Sequence, residues 1–346
     1  DITQTLARFQ DQSITEEALQ ARIFSGRIER DWWVGSYSSL VVGDNAAPML
    51  PGVDEGDDIV AKIALEPNTA TGLLEEKLIE ELLPEANRFS FPRGAKPGTF
   101  LHSVLEGTPL AQRLATPNFS DLIAAKQQAL MLDYFERQGY QEWQEVLMQW
   151  LQDIIRTPLS AQLPEMNLGQ LTPQQSLKEM EFYLPVAGFR ALQLDAIARR
   201  YDEVSLHAPS IQDRPLKGLL KGYIDLLFEW QGKYYVVDYK SNYLGDQAAD
   251  YQMHGLAVAI AEHRYDLQYQ LYTLALHRYL SSRLPDYDYD KHIGGVYYLF
   301  LRGMDGKTQN GIFHTRLARA QVLEMDALFQ AEHFKDTNTE RQYGLF

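Results

Sequence analysis

Cysteine is absent from all 346 residues, which excludes disulfides and thiolate zinc sites and fits a cytoplasmic protein. Long apolar runs are absent too. Nothing approaches the ~20 residues that span a bilayer, and no signal peptide is visible. Positive charge is scarce: Lys and Arg number 32 against 47 Asp and Glu, a net charge of −15. A protein that captures nucleic acid unaided carries a basic surface. The deficit argues against independent capture, and is compatible with a chain that receives a polyanion from a larger machine and relies on locally bound cations. There is no P-loop, so ATP is not a ligand of this chain, and no internal repeat or low-complexity tract. The first residue is Asp, which reads as a fragment of a longer protein.

What is present suits a globular chain. Hydrophobic residues make up 45% and aromatics 12%, enough for a real core in one large domain or one domain with a small appendage. The rest is arranged around Gly222–Lys240, Gly-Tyr-Ile-Asp-Leu-Leu-Phe-Glu-Trp-Gln-Gly-Lys-Tyr-Tyr-Val-Val-Asp-Tyr-Lys. Aromatic and β-branched residues fill Tyr223–Glu229 and Tyr234–Lys240, and the break at Gln231-Gly232 predicts a β-hairpin. With a two-residue loop, counting outward sets Trp230 opposite Lys233, Phe228 opposite Tyr235 and Asp225 opposite Asp238. Opposed side chains stand about 4.5–5.5 Å apart at Cβ, so two carboxylates there repel unless a cation lies between them. A three-residue loop with a bulge shifts the pairing by one and leaves the acids diagonal. Lys240 shares a face with Asp238. Two acids bridged by a hard cation, with an ammonium alongside, make a phosphoryl-transfer site. The competing reading is a solvated edge. It suits Glu229 and Lys233, whereas Asp225 and Asp238 are embedded in apolar runs and need partners.

Elsewhere the pattern predicts a short helix at 13–24, then a strand and Ser-rich turn within Arg30–Leu40. A mobile loop is expected at 44–60 and an exposed acidic helix within 70–83. A Pro-bounded turn at Arg93–Gly98 leads into a helix at Thr99–Arg113 with His102 in its first turn. Helices follow at 120–137 and 141–156, the second with a core stripe of Trp143, Leu147, Trp150, Leu151 and Ile154. Leu177–Pro185 alternates as a strand, with Glu179, Glu181 and Tyr183 on one face and Met180, Phe182 and Leu184 on the other. A helix at 190–201 and a polar loop at 202–217 precede the hairpin. After it come helices at Gln247–Glu262 and Asp266–Leu280, an apolar strand from Ile293 to Arg302, and a helical then polar tail.

An Asp, a hairpin's length and then Asp-x-Lys resembles the core of the PD-(D/E)XK nucleases. The wording Gly-Tyr-Ile-Asp-Leu…Val-Asp-Tyr-Lys-Ser-Asn-Tyr-Leu-Gly resembles their RecB-type branch, although Ile224 stands where the family name has Pro. His263–Tyr279, with Gln268 and Tyr272 four apart, resembles that branch's Gln-x-x-x-Tyr helix. Phe91–His102 resembles its Gly-x-x-x-His motif. The resemblance implies a restriction-endonuclease-like α/β fold, a mixed sheet with a central catalytic hairpin flanked by helices. It implies an entry segment at 1–90, a nuclease domain at 91–320 and a tail at 321–346.

The same resemblance implies a site. His102, Asp225, Asp238 and the backbone carbonyl of Tyr239 would hold Mg²⁺, with Mn²⁺ able to substitute and Ca²⁺ able to bind without supporting cleavage. Lys240 would orient the attacking water, and Gln268 and Tyr272 would give support. Glu181 would approach the metal or a second ion, with ordinary surface acidity as the alternative. The substrate implied is single-stranded DNA fed by a helicase, with RecC and RecD subunits and RecA as partners and no membrane. The rival is a degenerate nuclease fold serving as a protein-docking or DNA-guiding module. Such copies lose an acid or the lysine, whereas Asp225, Asp238, Lys240 and His102 all stand here.

Overall fold

The computed structural model describes residues 33–42 and 86–331. The helix expected at 13–24, the loop at 44–60 and the acidic helix within 70–83 lie outside the described residues. A mixed sheet is built from β1 (Trp33–Ser36), β2 (Ser176–Arg190), β3 (Pro215–Trp230), β4 (Lys233–Lys240), β5 (Ile293–Phe300) and β6 (Ile312–Thr315). β1 runs parallel to β3, and β2 and β4 antiparallel to it; β5 is parallel to β4 and β6 antiparallel to β5. Helices α1 (Tyr37–Val42), α2 (Ala95–Glu106), α3 (Ala125–Arg137), α4 (Gln144–Arg156), α5 (Ala191–Tyr201), α6 (Glu203–His207), α7 (Met253–Glu262), α8 (Tyr265–Arg283) and α9 (Arg319–Gln330) flank it. No helix among the described residues is long and apolar enough to cross a membrane.

The hairpin register follows the count. Trp230 pairs with Lys233, Phe228 with Tyr235 and Leu226 with Val237. Its two-residue loop places Gln231 at φ 52° and Gly232 at φ 80°, the pair of positive φ angles that a type I′ turn requires and that matches the twist of the strands. β2 and β3 run longer than their apolar cores suggest, because each continues past the hairpin to pair with the other. The polar stretch at 202–217 holds α6 and the first residues of β3 rather than a plain loop.

Alternation along β4 and β5 sorts the core. Tyr235, Val237, Tyr239, Tyr297 and Leu299 pack with α2–α4, while Val236, Tyr298 and Phe300 pack with α5 and α7–α9. In α4, Leu147, Trp150, Leu151 and Ile154 are buried and Trp143 packs at their edge. β1 falls within the stretch expected as an entry segment, and is a strand of the sheet. Val322, Met325 and Phe329 of α9 are buried in the core.

Helix α8 is buried on nearly every side, from Tyr265 to Leu276, as a helix at the centre of a fold must be. Its entry is fixed by Arg264, which takes φ 59° and is 1% exposed. The guanidinium meets Asp195 of α5 at 2.5 Å and Asp266 at 3.0 Å. A second buried guanidinium, Arg302 just after β5, donates to the carbonyls of Ser241, Arg88, Phe91 and Pro92 at 3.0, 2.8, 2.9 and 2.7 Å. It ties the segment leaving β4 to the segment entering α2. Arg302→Leu strands those buried carbonyls, each worth about 1–3 kcal/mol when left unsatisfied. The variant is expected to lose at least about 3 kcal/mol, read as a lower urea midpoint at unchanged slope.

Candidate active site

Strand β3 changes neighbours halfway along. Gly218–Lys221 lies beside β1 and Leu226–Trp230 beside β4, with β2 along the other edge throughout. Between them the sheet forks, and Asp225 stands at the fork. There its carboxylate continues the ladder, Oδ2 accepting the backbone N–H of Tyr239 at 2.7 Å. The outward count from the turn brings Asp238 level with Asp225, and both are buried, at 3% and 7% exposure. Lys240 Nζ lies 2.7 Å from Asp238 Oδ2, and 3.9 and 5.3 Å from the ring centroids of Tyr265 and Tyr298.

His102 arrives on α2 from the other side of the sheet. Its Nε2 is 3.0 Å from the carbonyl of Tyr239, and its Nδ1 is 3.6 Å from Asp225 Oδ2. A carbonyl only accepts, so Nε2 carries the proton and Nδ1 of the neutral ring carries a lone pair. A lone pair facing a carboxylate oxygen is stabilised by a cation between them.

Helix α2 spans Ala95–Glu106 rather than Thr99–Arg113. Gly107, at φ 83°, caps it in the left-handed region, which favours glycine. Both ends are anchored. Gly98 packs so closely on Ser241 that a Cβ would come within 3.0 Å of its hydroxyl. At the other end Lys178 Nζ donates to the carbonyls of Leu105 and Glu106 at 3.0 and 3.1 Å, a cation at the negative end of the helix.

Gln268 and Tyr272 sit together in α8. Gln268 Nε2 donates to the Tyr272 hydroxyl at 3.0 Å, and its Oε1 accepts from the Tyr298 hydroxyl at 2.7 Å. They thereby fix the tyrosine floor beneath Lys240.

Glu181 does not join this group. It is exposed, and Lys221, Tyr223 and Tyr183 hold its carboxylate. The acid that comes in is Glu179, two residues earlier on β2. Lys178↔Leu226 and Met180↔Ile224 pairing puts Glu179 level with Asp225, and its φ of 52° departs from extended geometry. Its Oε1 is buried without a hydrogen-bond partner among the described residues. Burial first, and then Asp225, Glu106 and Asp238, push its carboxyl up to about 8. Glu106 stands one turn after His102 on α2. Uniform alternation along β2 hid this acid; the adjacent Lys178-Glu179 pair before an apolar strand was the available signal.

Carboxylates from β2, β3 and β4, one imidazole and one backbone carbonyl make an oxygen-rich donor set suited to a hard divalent cation. As they stand, no three acid or imidazole groups among the described residues converge closely enough to chelate an ion. The crowding of Glu179 against Asp225 and Glu106, and the facing His102 and Asp225 acceptors, fit a cation. Two stability effects of opposite sign follow without metal. Glu179→Gln removes a carboxyl that must take up a proton as the chain folds at neutral pH, so its thermal midpoint is expected to equal or exceed the parent's. Asp238→Ala leaves buried Lys240 without its carboxylate and is expected to cost about 3 kcal/mol, measured by urea denaturation in EDTA.

Two kinds of likeness bear on this geometry. The profile of the PD-(D/E)XK nuclease superfamily matches residues 77–341. RecBCD enzyme subunit RecB of Escherichia coli K12 is 40% identical over 301 residues, which is 86% of this chain and 23% of that protein. The Haemophilus influenzae subunit is 36% identical over 321 residues, 90% of this chain and 24% of its own length. That of Mycobacterium tuberculosis H37Rv is 31% identical over 316 residues, 83% and 27% respectively. The chain thus spans about a quarter of the curated relatives it matches. Family profile, forked sheet and Asp-x-Lys hairpin agree, and the chain belongs to the PD-(D/E)XK nuclease superfamily.

Proposed function

We propose that this chain is the nuclease module of a RecBCD-type helicase–nuclease, an exodeoxyribonuclease V-type enzyme of the cytoplasm. It hydrolyses phosphodiester bonds of DNA single strands fed to it by the helicase, in double-strand-break repair and degradation of foreign DNA. RecC and RecD are its partner subunits, and it takes part in loading RecA onto the processed strand. The observation that carries the reading is Asp225 at the sheet fork, bonded to Tyr239 N–H, with His102 against both residues and the Asp238–Lys240 pair on the neighbouring strand. The net charge of −15 supports delivery of the strand by other subunits, since such a surface repels free DNA.

Asp225, Asp238, the His102 imidazole and the Tyr239 carbonyl would hold the Mg²⁺. A bound Mg²⁺ lowers the pKa of a coordinated water and neutralises charge on the scissile phosphate. Lys240, an ammonium fixed over two tyrosine rings, donates to the water or the phosphate and stabilises charge developing there. Gln268, Tyr272 and Tyr298 keep that ammonium in place. Glu179 adds a carboxylate on the third strand.

The test is cleavage of a 5′-labelled single-stranded oligonucleotide by the purified chain across a Mg²⁺ series. Asp238→Ala and Lys240→Ala are expected to lower the rate at least about 100-fold, the loss of one electrostatic stabiliser. His102→Ala is expected to raise half-saturating Mg²⁺ several-fold, with much of the plateau recovered at high metal. Cleavage that persists in EDTA, or an Asp238→Ala variant as fast as its parent, would overturn the reading.

A further inference from the structure

Beside the fork, β2 and β3 carry an exposed cluster that hydrolysis leaves unused. Glu181 Oε1 collects three donors: Lys221 Nζ at 2.6 Å, the Tyr223 hydroxyl at 2.7 Å and the Tyr183 hydroxyl at 3.0 Å. The four residues are two adjacent cross-strand pairs, Glu181 with Tyr223 and Tyr183 with Lys221. The ammonium also lies 5.0 Å from the Tyr223 ring centroid and 5.5 Å from that of Tyr183, itself 50% exposed. Lys221 first, and then the two phenols, hold the Glu181 carboxyl down at about 2, so the cluster stays ionised at neutral pH.

Three donors aimed at one anionic oxygen form a receptor for an oxyanion. A carboxylate fills it here, and a phosphate oxygen satisfies the same ammonium and hydroxyls. The position suits a strand. Tyr223 is two residues before Asp225, about 7 Å along β3 at ~3.4 Å per residue, and neighbouring phosphates of an extended nucleic acid are separated by a similar reach. Phenol faces beside a cation are what unpaired bases stack on.

We infer that Lys221, Tyr183 and Tyr223 bind a phosphate of the single-stranded nucleic acid next to the scissile one, and that Glu181 occupies their donors until the strand displaces it. The inference rests on the nuclease reading and adds a substrate subsite to it. Glu181 has a physical role in this arrangement. It keeps the three donors gathered in the empty state, and it competes with each arriving phosphate. The strand is therefore held weakly enough to advance between cuts.

The experiment pairs two measurements on the purified chain. Anisotropy of a fluorescein-labelled oligothymidylate in EDTA reports binding, and steady-state cleavage of the same oligonucleotide in Mg²⁺ reports KM and kcat. Lys221→Gln is expected to weaken binding and raise KM about tenfold, and to make the slope of log affinity against log salt shallower by about 0.7, one phosphate contact on a single strand. Its kcat and half-saturating Mg²⁺ should match the parent's. Glu181→Gln is expected to tighten binding several-fold, because the competing anion is gone. Glu181 is exposed and Lys221 half-buried, and matching circular dichroism spectra exclude misfolding. A Lys221→Gln variant with parental KM and salt slope, or with kcat lowered at constant KM, overturns the subsite. Weaker binding by Glu181→Gln overturns the competition. If the parent binds in a Lys221-dependent way but never cleaves, the nuclease reading fails and the subsite stands.

Discussion

Three carboxylates lie abreast across adjacent strands, and the cost of crowding buried negative charge governs the structure around them. Glu179, Asp225 and Asp238 cannot all be ionised and dry without compensation. The fold supplies it locally. A backbone N–H meets Asp225, an ammonium meets Asp238, and Glu179 is pushed up to about 8. The fork makes room for this arrangement. Where β3 leaves β1 and has yet to meet β4, backbone donors are released from the ladder, and a side chain takes one of them. A continuous sheet would hold the same acids with no open edge for a substrate to approach.

Cations are placed around that negative centre at several distances, each with its own task. Lys240 neutralises. Lys178 closes the carbonyl end of the helix that carries His102 and Glu106, and burial brings it down to about 8. Arg302 is committed to backbone carbonyls, so that Ser241 and the approach to α2 cannot separate. Lys221 faces outward. The chain's acidic balance thus conceals a short radius over which positive groups are concentrated, and the distribution of charge says more about the chemistry than its sum does.

Much of this was legible before any coordinates. The hairpin register followed from counting outward from Gln231-Gly232, because a two-residue turn leaves one pairing and both residues adopt the positive φ it needs. The Gln268–Tyr272 contact followed from helical spacing. Glu179 was hidden by the assumption of strict alternation. Grouping it with Glu181 gave both acids the same surroundings, whereas a left-handed φ at 179 and the fork at 225 divide them. The early end of α2 had a signal, Gly107 before Thr-Pro, which the bounds drawn to Arg113 passed over. The carbonyl clasp of Arg302 had none, since an arginine ending an apolar strand gives no sign of what it will donate to.

That clasp has a consequence for how the protein comes into being. Arg302 is separated by 210 to 214 residues from the carbonyls of Pro92 and Arg88, and by 61 from that of Ser241. During synthesis, the segment entering α2 leaves the ribosome long before the guanidinium that fixes it. The hairpin can form early from its own local contacts, but the clasp that fixes the approach to α2 closes only when the chain has been made past residue 302. Closure of this clasp is therefore a late event in translation, and a nascent chain arrested before β5 holds its acids without the approach to α2 fixed beside them.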